Sequence, residues 1–169
     1  MTCVRPGKYS SAVNVARETA RGRLGPLRVL LVEDDPADVA LIEDTFATHA
    51  LAAELHHVPD GVEAMAFVRR QGQYADAPRP ELILLDLNMP RMNGQEVLAA
   101  IKADQWLKTI PVVVFTTSVV DADVLASYTA HASAYVTKPI GLDDFERVVG
   151  QIHRFYGRTA SLPPDSSTA

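Results

Sequence analysis

Glu81-Leu82-Ile83-Leu84-Leu85-Asp86-Leu87-Asn88-Met89-Pro90 decides the fold. Its apolar run is short, and it lacks the polar alternation of a strand with one wet face. It therefore reads as a β-strand covered on both sides. The run stops at a carboxylate, Asp86. The same pattern recurs elsewhere. Val29-Leu30-Leu31-Val32 runs into Glu33-Asp34-Asp35, Ile110–Phe115 into Thr116-Thr117, and Ala134–Thr137 into Lys138-Pro139. Each of these runs delivers an acid, a hydroxyl or an amine at its carboxyl end. In an open parallel α/β sheet that edge is where binding and reacting groups gather.

Helical patterns fill the gaps between the strands. Strand one is Arg28–Glu33, and Pro36 suits the first turn of a helix that buries Val39, Leu41, Ile42 and Phe46. Strand two is about Ala52–Val58. Asp60-Gly61 makes a turn, and Val62, Met65, Ala66 and Phe67 line a second helix that ends near Gln71-Gly72. The polar loop Gln73–Pro80 leads to strand three, Glu81–Asp86. Gly94 serves a turn before helix three, with Val97, Leu98 and Ile101 inward. Asp121 caps helix four, whose inner face uses Val124, Leu125 and Tyr128. Helix five, Leu142–Tyr156, repeats Leu142, Phe145, Val148, Val149, Ile152 and Phe155. Five strands alternating with five helices predict an α/β, doubly wound, five-stranded parallel sheet with right-handed crossovers. The flavodoxin-like order 2-1-3-4-5 brings the ends of strands one and three together, so Glu33, Asp34 and Asp86 meet.

A chain of 169 residues at 47% hydrophobic buries one good core. The expected organisation is a basic, disordered extension over 1–27 with a short helix near Ala12–Ala20, a body over 28–156, and a tail over 157–169. The net charge is −5, yet the first 28 residues carry Arg5, Lys8, Arg17, Arg21, Arg23 and Arg28 against Glu18 alone. The body is therefore strongly acidic, and nothing in it argues for nucleic-acid binding. A lone cysteine, Cys3, excludes an intramolecular disulfide. No apolar run has the length of a membrane span and no signal peptide opens the chain, so a cytoplasmic protein without a membrane anchor is expected.

Several carboxylates at one spot cannot all stay ionised without a counter-charge. Either protons are taken up or a divalent cation sits among them. Mg²⁺ prefers such hard oxygen ligands. Lys138 supplies a second positive charge, and with two cations nearby a carboxylate can accept a phosphoryl group. Asp86, ending the central strand, is best placed as the nucleophile. Asp35 reads either as a third metal group or as a helix N-cap before Pro36. Thr117 either lines the phosphate pocket or simply ends a strand. His49, His56, His57, His131 and His153 have no metal spacing and read as surface or packing residues.

Glu33-Asp34, Asp86, Thr116, Tyr135 and Lys138-Pro139 together resemble the motif set of receiver domains of two-component response regulators. The likeness spans about Arg28–Phe155. Within that family, residues 84–90, 111–118 and 135–139 look most like stand-alone regulators that partner phytochrome-type histidine kinases. The resemblance implies that Asp86 is the phosphoacceptor and that Asp34 binds Mg²⁺ directly. Glu33 would act through bound water, and the Asn88 backbone carbonyl would add a ligand. It further implies Lys138 on the phosphoryl oxygens, a cis bond before Pro139, Thr116 as switch hydroxyl, and Tyr135 turning inward behind it. Ile140 stands where an aromatic is frequent in the family.

The expected function is a stand-alone response regulator, not an enzyme, that accepts a phosphoryl group from a sensor histidine kinase, a bacteriophytochrome by the narrower resemblance. No output domain follows residue 156, so DNA binding is not expected in this chain. Phe155, Tyr156 and Leu162 form an apolar surface that suggests a homodimer. Two alternatives remain open: a docking module that is never phosphorylated, and a Mg²⁺-dependent aspartyl-phosphate phosphohydrolase. Against the latter, the residue two after Asp86 is Asn88 and not the second acid of an Asp-x-Asp pair.

Overall fold

The computed structural model describes residues 25–164. The Ala12–Ala20 helix, Cys3 and nearly all of the basic extension lie outside the described residues, as does the end of the tail. The chain runs β1 (Leu27–Val32), α1 (Pro36–Thr48), β2 (Ala53–Val58), α2 (Gly61–Val68), a 3₁₀ turn (Gly72–Tyr74) and β3 (Leu82–Leu85). It continues through α3 (Gly94–Ala103), β4 (Val112–Thr116), α4 (Asp121–Thr129), β5 (Ala134–Thr137), α5 (Leu142–Arg154) and a π turn (Phe155–Thr159). The sheet is parallel throughout, in the order β2-β1-β3-β4-β5.

Alternation along the central strands divides the core in two. Leu27, Val29 and Leu31 of β1, Leu82 and Leu84 of β3, and Val113 and Phe115 of β4 face α1 and α5. Leu30, Val32, Ile83, Leu85, Val112 and Val114 face α2 and α3. Residues on both faces of these strands are almost wholly buried, each worth roughly 1.5–3 kcal/mol of apolar transfer. That is why the sequence shows runs here and not alternation.

The helices depart from expectation at their ends and on one face. α2 stops at Val68, short of Gln71-Gly72, because Arg70 adopts a left-handed conformation (φ 55). Its amide donates to the Phe67 carbonyl and that of Gln71 to the Ala66 carbonyl, closing the helix. Val62, expected inside, is exposed. The N-cap of α4 is Val120, which makes no side-chain cap bond; Asp121 sits in the first turn instead. Leu125 and Tyr128 are exposed, Val124 is half-buried, and Ser127 is the one buried residue of α4. The cause is topological. α4 lies against β5, a four-residue edge strand whose own residues are half-buried or, at Thr137, exposed, so an apolar stripe on that helix finds little sheet to cover it. α5 ends at Arg154, two residues early, with Leu142 and Phe155 half-exposed and His153 buried in place of the helix's last apolar position. The chain beyond does not run free at once, because Tyr156 and Leu162 pack on the α1–α5 side of the core.

Candidate acidic site at the carboxyl edge of the sheet

Register builds the site. Val32 of β1 pairs with Leu85 of β3, so the next residues, Glu33 and Asp86, emerge side by side. The Asp86 amide donates to the Val32 carbonyl at 3.0 Å and fixes the junction. Glu33, Asp34 and Asp86 each place a carboxylate oxygen within 4.8 Å of the others. Glu33 and Asp86 are buried, at 1% and 6% exposure, while Asp34 faces solvent. Asp35 is outside this cluster. Its carboxylate accepts the Ala37 amide at 2.8 Å and caps α1, which decides between its two readings.

Each buried carboxylate has one oxygen tied to the backbone. Oδ1 of Asp86 accepts the Leu87 amide at 2.8 Å, and Oε1 of Glu33 accepts the Asp35 amide at 3.1 Å. Their other oxygens face Lys138. Its Nζ donates to Oε2 of Glu33 at 2.6 Å and to Oδ2 of Asp38 at 2.7 Å, and stands 3.7 Å from Oδ2 of Asp86. The Lys138 amide donates to the Thr116 carbonyl at 2.8 Å, which moors the end of β5 to the end of β4. Burial works against the ammonium, but Asp38, Glu33 and Asp86 outweigh it and hold its pKa above the ordinary value. Burial likewise pushes the Glu33 carboxyl up; Lys138 opposes this, the Asp86 charge adds to it, and the net direction is upward. One ammonium therefore does not balance the acids around it. A compact set of hard oxygen donors with surplus negative charge fits Mg²⁺ or Mn²⁺.

The switch candidates lie beside this corner. Thr116 is buried, and its Oγ1 accepts the Ser118 amide at 3.4 Å, a weak bond. The half-buried Tyr135 donates its hydroxyl to the Ser118 carbonyl at 3.0 Å. The Ser118 hydroxyl donates to Oδ2 of Asp123 at 2.6 Å. β4, β5 and α4 are thus joined through the backbone and side chain of one serine. Thr117 and Asn88 are exposed. The bond before Pro139 is trans, not cis. The two isomers differ by only about 0.5–1 kcal/mol before proline, so the residue pair does not fix the geometry.

Three contributors escape the sequence pattern. Asp38 shares Lys138 with Glu33; its signal is an acid in the first turn of the helix that starts at the site. His57 places Nε2 2.8 Å from the Glu33 carbonyl. A carbonyl only accepts, so that nitrogen carries the proton. Gly94 does more than turn the chain. A Cβ there would lie 2.1 Å from the Asp86 carbonyl oxygen and 2.7 Å from Leu87 Cα, so only glycine lets α3 start against the strand end.

Comparison with known proteins agrees with this geometry. Residues 29–149 match the response regulator receiver domain model. Response regulator Rcp1 of Synechocystis sp. is 48% identical over 138 residues, 82% of this chain and 94% of that protein. The crystal structure of the phosphorylated cyanobacterial phytochrome response regulator RcpA matches with a TM-score of 0.79 at 46% identity, covering 83% of this chain and all of that one. The Mn²⁺-bound form of Rcp1 matches with a TM-score of 0.78 at 47% identity, covering 82% of this chain and 100% of that one. With most of its length matched in sequence and in fold, this chain belongs to the response regulator receiver family and is related to phytochrome response regulators.

Proposed function

We propose that Asp86 accepts a phosphoryl group from a histidine kinase. Its free carboxylate oxygen attacks phosphorus, the phosphorus–nitrogen bond of the phosphohistidine breaks, and the leaving imidazole keeps the electron pair and takes a proton. Lys138 is poised to move from its carboxylate partners onto the phosphoryl oxygens. A Mg²⁺ ion held by Asp34, Asp86 and the Asn88 carbonyl, with Glu33 acting through water, would neutralise charge on those oxygens. The observation that carries this reading is the 3.7 Å between the Lys138 ammonium and Asp86, inside a cluster of three carboxylates. Thr116 would exchange its weak bond to Ser118 for a phosphoryl oxygen, Thr117 would line the pocket, and Tyr135 would leave the Ser118 carbonyl. The receiver over 28–156 would then present a changed α4–β5 surface.

The relationship to phytochrome response regulators supports a phytochrome-type kinase as donor. Tyr156 and Leu162 pack in part on the chain's own core while Phe155 stays exposed, so the tail offers a homodimer less apolar surface than the sequence suggests. Further exposed apolar side chains lie at and before α4, at Val119, Val120, Leu125 and Tyr128, and at the start of α5, at Ile140 and Leu142. Intact mass after incubation with a small-molecule phosphodonor tests the chemistry. The expected result is a gain of one phosphoryl group with Mg²⁺ and none in Asp86→Asn. A gain in that variant would overturn the assignment.

A further inference from the structure

We propose that Arg91 is a positioning residue for the divalent-cation site, clamping the β3–α3 loop to the start of α2. This rests on the reading above, in which that loop offers the Asn88 carbonyl to the cation. Arg91 has φ 65, a left-handed conformation that a side-chain-bearing residue keeps only where its surroundings enforce it. The enforcement is visible. Its Nε donates to Oδ2 of Asp60 at 2.9 Å, and a terminal guanidinium nitrogen bonds the same oxygen. Asp60 is itself fixed. It is 5% exposed, and its Oδ1 accepts the amides of Val62 at 2.9 Å and Glu63 at 3.0 Å, capping α2.

The loop lies directly on that helix start. A Cβ on Gly61 would come within 2.4 Å of the Met92 carbonyl oxygen and 2.8 Å of Met92 Cβ, so the glycine gives the loop its seat. Within the loop, the Gly94 and Met89 amides converge on the Leu87 carbonyl at 3.0 and 3.2 Å, and the Met92 amide meets the Pro90 carbonyl at 2.8 Å. These bonds make residues 87–94 a stiff unit, and Arg91 anchors it from outside. Glu63, 3.6 Å from Arg91, also accepts the Tyr74 hydroxyl at 2.8 Å and the Gln73 amide group at 3.0 Å. An exposed ion pair ordinarily does little. This one differs because its acid is buried, is hydrogen-bonded on both oxygens, and holds a backbone conformation.

Mn²⁺ binding to the whole, unphosphorylated chain tests the proposal, read by the electron paramagnetic signal of free Mn²⁺. Wild type, Arg91→Ala, Arg91→Lys, Asp60→Asn and a cluster control, Asp34→Asn, are compared at a temperature where melts show all of them folded. The expectation is roughly tenfold weaker binding in Arg91→Ala, the low end of what supporting partners of metal ligands contribute. Arg91→Lys should fall between it and wild type. Amides of residues 87–93 should also exchange faster in metal-free Arg91→Ala. Wild-type affinity and exchange in Arg91→Ala, with binding lost in Asp34→Asn, would overturn the clamp and leave the acidic site standing. Absent binding in wild type, or full binding in Asp34→Asn, would instead show that the acidic-site reading has failed and would take the clamp with it.

Discussion

Lys138 and α4 meet at neighbouring parts of the same sheet edge, yet they are held in opposite ways. Lys138 is 7% exposed, bonded to two carboxylates and moored by its amide to β4. α4 buries one residue, lacks a side-chain N-cap bond, and leaves Leu125 70% exposed. The corner proposed to take the phosphoryl charge is buried, and its ammonium is saturated with carboxylate partners. The helix that could report the change is loosely held, joined to that corner through Thr116, Ser118 and Tyr135. Local stability is unequal, and the elements that move come from its low end. A switch needs this division: stiff groups keep the acceptor aligned, and a weakly packed element shifts for little free energy.

The contrast breaks most visibly at Lys138. Replacing it with Met leaves Glu33 buried without its cation, and urea unfolding should show a loss of about 3 kcal/mol, as for other broken buried pairs. A loss below about 1 kcal/mol, in the range of exposed pairs, would mean that the corner is not saturated as described. Gly94→Ala should come next, at about 1–3 kcal/mol, because its methyl meets the Asp86 backbone. Gly141→Ala, with only an Asp144 oxygen 3.9 Å away, serves as the tolerant control.

A pH series sharpens the same corner. The folded-state pKa of Glu33 lies above its ordinary 4.5. The folded chain therefore binds that proton more tightly than the unfolded one. The carboxylate costs stability above its raised pKa, and the cost fades as the pH falls toward the ordinary value. Metal-free wild type should thus gain stability relative to Glu33→Gln as the pH is lowered, in paired melts. The opposite slope would contradict the stated balance of burial and charge. The smallest effect belongs to α4, where Leu125→Ser should change stability by no more than about 0.5 kcal/mol.

The two regions also differ in how much of them could be read from sequence. Strand ends are legible because burial on both faces writes a continuous apolar run, and whatever follows it lies at the carboxyl edge. The positions of Glu33, Asp34, Asp86 and Lys138 are legible that way, and the strand order brings them together. The face of α4 departs from its apolar pattern for a physical reason. A 3.6-residue stripe through Leu125 and Tyr128 is the same whether a sheet or solvent lies opposite, and only the short edge strand β5 decides. Asp38, the Asp60–Arg91 pair and the close approach at Gly94 depend on which distant segments touch, and no local periodicity carries that. The trans bond before Pro139 departs from what the family likeness implied, where local preference is weak.

Hydrogen exchange with and without beryllofluoride and Mg²⁺, a mimic of the phosphorylated state, tests the division of labour most directly. The expected result is altered exchange concentrated in residues 116–137, covering α4 and β5, with α1 and the body of α5 unchanged. Unchanged exchange at α4, with the mimic shown to be bound, would contradict it, and so would a uniform change across the sheet.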